Sequence, residues 1–332
     1  GKGSVTLEDI HQAELLIVMG QNPGTNHPRM LAAIQQCKAQ GGQVITVNPL
    51  PEAGLMRYED PQSPKRLLTG GIAITDLFLP CKINGDVAFL KALMYELHKM
   101  DMERSGSIID YDFIEEHTTG YEDFIKQVRD IDYMACIKQS GLEPKQIREA
   151  AKMVAKNDKI IVCWAMGLTQ HENGVDNITE IVNLLLMRGA IGKPGAGTCP
   201  VRGHSNVQGD RTMGIWEAPK AAFLDKLDEV HGIKSPRSHG HAVVPAINAM
   251  HKKEAKVFFA MGGNFLSATP DTEYTAKALQ NCDLTVHVST KLNRSHLVHG
   301  KTALILPCLG RTDIDIQAGG EQFVTCENSM GV

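Results

Sequence analysis

Short apolar runs recur along the chain. Each is followed by a polar or glycine-rich corner, then by a stretch in which apolar residues return with helical spacing. Residues 15–20 (LLIVMG) read as a first strand, followed by the corner QNPGTNHP and a helix over 29–40. A second strand over 43–47 ends in Asn48-Pro49. Residues 51–83 are proline-rich and irregular, which predicts a long excursion from the sheet. Helical periodicity returns over 85–100 and within 111–156, most clearly over 143–156. A strand over 160–166 leads through GLTQHENG into a helix over 176–188. Residues 189–214 form a glycine-rich stretch that reads as a long loop. A second series follows, with strands over 256–261, 284–288 and 303–306 and helices over 218–231, 242–253 and 271–281. Strands alternating with helices predict α/β architecture with mostly parallel sheets covered on both faces.

Three of these strands end in Met-Gly followed by an amide side chain: Met19-Gly20 with Asn22, Met166-Gly167 with Gln170, and Met261-Gly262-Gly263 with Asn264. Parallel sheets bind ligands at the carboxyl ends of their strands. Glycine there admits a ligand close to the backbone, or simply makes the turn. In the first corner, Asn22, Thr25 and Asn26 suit a phosphate at a helix start, or serve as ordinary caps. Asn48 suits a ribose or base, or an Asn-Pro turn. The polar segment 200–214 (PVRGHSNVQGDRTMG) carries Arg202, whose planar fork suits an oxyanion but is equally at home in solvent.

Composition narrows the field. At 332 residues the chain is long enough for two domains, and 42% hydrophobic with 22% charged residues is ordinary for a globular protein. A net charge of −4 argues against a nucleic-acid partner, and no apolar run is long enough for a membrane span. The eight cysteines show no CxxC spacing, so no zinc knuckle or iron–sulfur loop is encoded, and they read as free thiols of a reducing cytoplasm. The thirteen histidines form no ligand cluster; His296 and His299 offer only a weak metal pair, and no metal ligand is expected in this chain. No G-x-G-x-x-G or G-x-S-x-G pattern supports a nicotinamide or serine-hydrolase reading. No targeting segment is visible, and both ends read as cuts through a longer polypeptide.

LLIVMGQNPGTNHPRM, the run from IIVCWAMGLTQHENG through GKPGAGTCPVRGHSNVQGDRTMG, VFFAMGGNF and TVHVSTKLNRSH together resemble the molybdopterin oxidoreductases of the dimethyl sulfoxide reductase family. The formate-dehydrogenase-like bacterial branch is the nearest in pattern. The resemblance implies two Rossmann-like three-layer α/β/α domains, 1–203 and 204–332, the second incomplete. Each would grip one half of a Mo-bis(molybdopterin guanine dinucleotide), or its tungsten counterpart. It implies cofactor contacts at Gly20, Asn22, Thr25, Asn26, Asn48, Gly85, Asp86, Met166, Gly167, Gln170, Gly203, His204, Asn264, Ser289, Thr290 and Cys308. Arg202 matches the arginine that orients a small anion such as formate. Leu50 stands where formate dehydrogenases tend to have arginine, Asn48 where relatives often carry aspartate, and His204 where they carry an amide. The metal ligand and any 4Fe–4S cluster would lie upstream, and a cap domain downstream, leaving the chain by itself inactive. An electron-carrier protein is the expected partner. The alternative is a subunit that keeps this fold without the cofactor.

Overall fold

The computed structural model describes residues 3–60, 70–204, 206–216, 218–310 and 313–323. They form two compact units, one reaching to His204 and one starting at Asn206. The strands of the first unit are β1 (Leu15–Met19), β2 (Gln43–Val47), β3 (Arg57–Tyr58), β4 (Ile72–Ala73), β5 (Leu77–Leu79), β6 (Ile160–Trp164) and β7 (Gly197–Pro200). Five of them make one parallel sheet in the order β5-β2-β1-β6-β7, while β3 and β4 pair as an antiparallel ribbon.

β1 and β6 are buried along their whole lengths, as apolar runs in a parallel sheet covered on both faces must be. Successive side chains alternate between the faces. Leu15, Ile17 and Met19 enter one core, and Leu16 and Val18 the other. The second core is closed by helix Pro28–Ala39, which buries Leu31, Ala33, Ile34 and Cys37. The first is closed by helices Asp86–Glu103, Pro144–Lys156 and Gly174–Met187. Helix Pro144–Lys156 shows why these segments are helical. Pro144 occupies its first turn, Glu143 and Gln146 form a reciprocal cap, and Ile147, Ala150, Ala151 and Val154 make one buried stripe. At the far end of helix Asp86–Glu103, the buried Asp101 carboxylate accepts from the backbone of Ile108 (2.7 Å) and Ile109 (2.9 Å) and from the Tyr111 hydroxyl (2.7 Å). These bonds fold the chain back into helix Tyr111–His117.

Three differences from the sequence pattern have local causes. The 51–83 excursion holds β3, β4 and the edge strand β5, each too short to register as a period of two. The 189–214 loop holds β7 and helix Val207–Thr212; β7 opens on Gly197 at φ +145°, a residue that adds nothing to an apolar pattern. The strand expected to reach 166 stops at Trp164, and the Met-Gly corner is the first turn of a short helix, Met166–Thr169.

The second unit holds a parallel sheet of β8 (Val257–Met261), β9 (Leu284–Ser289) and β10 (Thr302–Pro307), ordered β10-β9-β8. An antiparallel pair follows, β11 (Asp315–Gln317) and β12 (Gly320–Gln322). Ile247 and Met250 of helix Val243–His251 join Ala278 and Leu279 of helix Thr272–Gln280 in its core. Val257, Phe259 and Met261 of β8 point the other way and are exposed, as is β10 along its length. Among the described residues no helix is long and apolar enough to cross a membrane.

Leu93, 1% exposed within the first core, tests this packing. Leu93→Ala is expected to lower unfolding free energy by about 2–5 kcal/mol through lost transfer energy and a residual cavity. Urea unfolding of the two proteins measures it, and an unchanged midpoint would contradict the assigned core.

Candidate functional site

From β1 the chain builds outward through β2 to β5, then returns to the other side of β1 to build β6 and β7. The topological switch therefore lies between β1 and β6, where an open α/β sheet binds its ligand. β1 aligns Met19 with Val47 on one side and Trp164 on the other, so the three strands end level. Gly20 follows at φ +55° and donates its N–H to the Val47 carbonyl (3.1 Å), and the Gly167 N–H donates to the Gly20 carbonyl (3.1 Å). A Cβ on Gly167 would lie 2.6 Å from the Gly20 oxygen; one on Gly20 would lie 2.8 Å from the Gly167 carbonyl carbon. Two corners thus meet backbone to backbone. Beside them, helices Pro23–Asn26 and Ala53–Met56 meet on Gly24 and Gly54, which approach as closely.

These corners frame a cavity of about 560 Å³, within the range of small-molecule sites. Of the residues expected from sequence, Gly20, Asn22, Thr25, Asn26, Asn48, Asp86, Met166, Gly167 and Gln170 line it. Leu50, whose arginine equivalent the resemblance suggested, lines it too and is exposed. Gly85 stands one residue behind as the N-cap of helix Asp86–Glu103.

Several lining residues play roles the sequence pattern did not show. Asn22 Oδ1 accepts from the Thr25 N–H (3.2 Å), and the Asn26 and His27 amides bond within the same turn. The expected helix-start anion site is thus a four-residue turn whose Thr25, Asn26 and His27 amides are already used; Thr25 and Asn26 remain as lining groups. Asn48 Nδ2 donates to Leu50 O (2.8 Å) and to the Glu52 carboxylate (3.2 Å). A carboxylate thus enters the cavity lining four residues after Asn48, at Glu52, where no strand-end pattern would have found it. Gln21, Lys82 and His171 also line the cavity. Gln21 is 3% exposed; its Nε2 faces His27 Nδ1 (3.3 Å) and Met30 Sδ (3.0 Å), while its Oε1 is buried without a partner.

Burial holds the Asp86 carboxyl above its ordinary range, against the opposing pull of its own backbone N–H and of His171. Burial, aided by the Asp86 charge, also pushes the neighbouring Cys81 thiol up, so Cys81 stays protonated.

Arg202, Gly203 and His204 are exposed beyond β7 and do not line this cavity. The segment is tied to the first corner, because His27 Nε2 lies 2.9 Å from the Arg202 carbonyl. The tautomer with hydrogen on Nε2 satisfies both His27 contacts: it donates to Arg202 and accepts from Gln21.

In the second unit Asn264, Ser289, Thr290 and Cys308 lie at or just beyond the carboxyl ends of the strands. Asn264 Oδ1 accepts from Ser295 Oγ (2.7 Å), Ser289 Oγ lies 3.1 Å from His296 Nε2, and the Cys308 N–H donates to Ser289 O (3.1 Å). Thr290 is exposed. His296 also bonds Asn293, and its ring lies 4.8 Å from the His287 ring at a tilt of 43°, while His299 Nδ1 lies 2.7 Å from the Gly300 carbonyl oxygen. His296 and His299 are engaged in polar contacts, and among the described residues no group of three His, Cys, Asp or Glu could hold a metal.

The raised Asp86 pKa has a definite sign. The folded protein binds that proton more tightly than the unfolded chain, so the stabilising contribution is complete below the usual carboxylate range and is lost as pH rises through the folded value. Asp86→Asn should therefore stabilise the protein at pH 7, with the gain vanishing below about pH 4. Thermal unfolding across that range measures it; a variant less stable at pH 7 would show that the carboxylate is held by groups that favour its charge.

An uncharacterized oxidoreductase of Mycobacterium tuberculosis is 51% identical to this chain over its full length, covering 43% of that protein. Protein YdeP of Escherichia coli is 45% identical, covering 44% of its length. The F420-dependent formate dehydrogenase 1 subunit alpha of Methanococcus maripaludis is 29% identical over 86% of this chain and 40% of its own. The chain thus spans less than half the length of these curated relatives. Acetylene hydratase from Pelobacter acetylenicus shares the fold, with a TM-score of 0.53 and 17% identity over 85% of this chain and 41% of that one. The pattern of the Molybdopterin oxidoreductase family matches residues 2–297, and the chain belongs to that family.

Proposed function

We propose that this chain is the cofactor cradle of a molybdenum or tungsten bis-(molybdopterin guanine dinucleotide) oxidoreductase acting on a small substrate such as formate. The observation that carries this reading is the cavity at the β1/β6 switch point, floored by Gly20 and Gly167 and lined by carboxylates and amides. Its chemistry fits a guanine nucleotide. Glu52 and Asp86 would supply carboxylate acceptors for the N–H groups of a guanine edge, and the buried Gln21 Oε1 has no partner of its own. Asn22, Thr25, Asn26, Met166 and Gln170 would hold the rest of that half, with Gly203 and His204 approaching from the segment behind β7. In the second unit Asn264, Ser289, Thr290 and Cys308 would hold the other half. When bound, the cofactor supplies the metal and its two-electron chemistry.

Arg202 is given the task of orienting the substrate anion and stabilising charge during turnover, with His27 fixing its backbone. Family membership and the similarity to a formate dehydrogenase subunit support this reading. We assign the metal ligand and any 4Fe–4S cluster to parts of the relatives that this chain does not span, and electron exchange to a cytoplasmic carrier protein.

Two measurements test the proposal on the protein that carries this chain. Elemental analysis with acid release of nucleotides should find molybdenum or tungsten with two guanine nucleotides per metal. Metal-free, pterin-free protein from cells that load other molybdoenzymes would instead support the cofactor-free reading. In metal-replete protein, Arg202→Lys should lower kcat for a small anionic substrate by about 10²–10³-fold, the effect typical of removing one oriented charge-stabilising donor. Unaltered turnover would remove Arg202 from the site.

A further inference from the structure

Cys163 and Cys199 occupy partnered positions on β6 and β7. Parallel neighbours stand about 4.8 Å apart, inside the Cα separations of about 4.4–6.8 Å that a disulfide spans. Both side chains lie on the face of the second core: Cys163 is fully buried in it, and Cys199 packs half-buried at its rim. The two thiols therefore sit side by side on one face of the sheet and influence each other's ionisation. Their placement is asymmetric. β7 is the last strand of the sheet, with Ser4 bonded to Thr198 along its outer edge, and Cys199 keeps partial exposure, whereas Cys163 is fully buried one strand further in. Each is three positions from a strand-end element of the cradle: Cys163 from Met166, Cys199 from Arg202.

We propose that Cys199 and Cys163 form a peroxide-oxidisable dithiol, with Cys199 attacking and Cys163 resolving. The Cys199 thiolate attacks hydrogen peroxide, the O–O bond breaks, and Cys199 becomes a sulfenic acid with release of hydroxide. The Cys163 sulfur then attacks the Cys199 sulfur, the S–O bond breaks, and its proton leaves with the hydroxyl as water. Two thiols have lost two electrons to one peroxide, and the product is a Cys163–Cys199 disulfide. The Cys163 thiol beside it holds the Cys199 thiol below its ordinary range, while the same neighbour and burial push Cys163 up. Cys199, the partly exposed member of the pair, is the one that peroxide meets first. A thiol at the partnered position of the next strand resolves the sulfenic acid before further oxidation.

The 332-residue chain carrying Cys308→Ser, which silences an exposed thiol elsewhere, is the protein to treat with hydrogen peroxide. After alkylation of the remaining thiols, non-reducing peptide mapping should show one linked pair containing Cys163 and Cys199. Two thiols per chain should be lost, and both regained with dithiothreitol. Adding Cys163→Ser should trap Cys199 as a dimedone-reactive sulfenic acid, a product absent from the parent. Cys163→Ala supplies the same readout if serine disturbs the core. The proposal is overturned if Cys199 remains alkylatable, if it accumulates as sulfinic or sulfonic acid with Cys163 still reduced, or if Cys163 pairs with Cys37, its neighbour in the same core.

Discussion

The close approach of two glycine backbones, Gly20 and Gly167, is the constraint on which the rest of the first unit turns. The Gly167 N–H reaches the Gly20 carbonyl only because neither residue carries a Cβ. With those corners in contact, the ends of β1 and β6 stay level and the chain can diverge on either side. Divergence opens the cavity. A side chain at either position would push the corners apart, and the groups that line the cavity would lose their common floor. The same device recurs at Gly24 and Gly54, where two short helices cross. The site is thus shaped first by what is missing from the backbone and only then by what the side chains add.

Around that floor the polar groups fall into two kinds. Some are committed to holding the loops: Asn22 caps its own turn, Asn48 clamps Leu50 and Glu52, and His27 ties the Arg202 segment. Others keep acceptor capacity for a visitor, above all Gln21 Oε1 and the buried Asp86 carboxyl. A carboxylate retained at a desolvation cost is the kind of group that function, rather than stability, keeps in place.

Much of this was legible in the sequence, for physical reasons. Runs such as LLIVM and IIVCW announce central parallel strands because both their faces are buried, and the Met-Gly corners mark their carboxyl ends. Most of the cavity lining of the first unit followed from those corners. β5 and β7 were not legible, because three or four residues carry too little periodicity and β7 opens on a glycine. Glu52 and Gln21 were missed for a different reason. Glu52 reaches the cavity through the turn after Pro49 rather than from a strand end, and Gln21 earns its place by having an unsatisfied oxygen, which only coordinates reveal. The caps made by Asn22 and Asn48 show that a polar residue at a corner first serves its own backbone.

The bond from His27 to the Arg202 carbonyl joins residues 175 positions apart in the chain. Its other nitrogen faces the side-chain amide of Gln21, a residue that lines the cavity. A single imidazole therefore bridges a cavity-lining amide and the backbone of the Arg202 segment. A ligand that draws on Gln21 would be felt at Arg202 through two hydrogen bonds, with no strand or helix having to move.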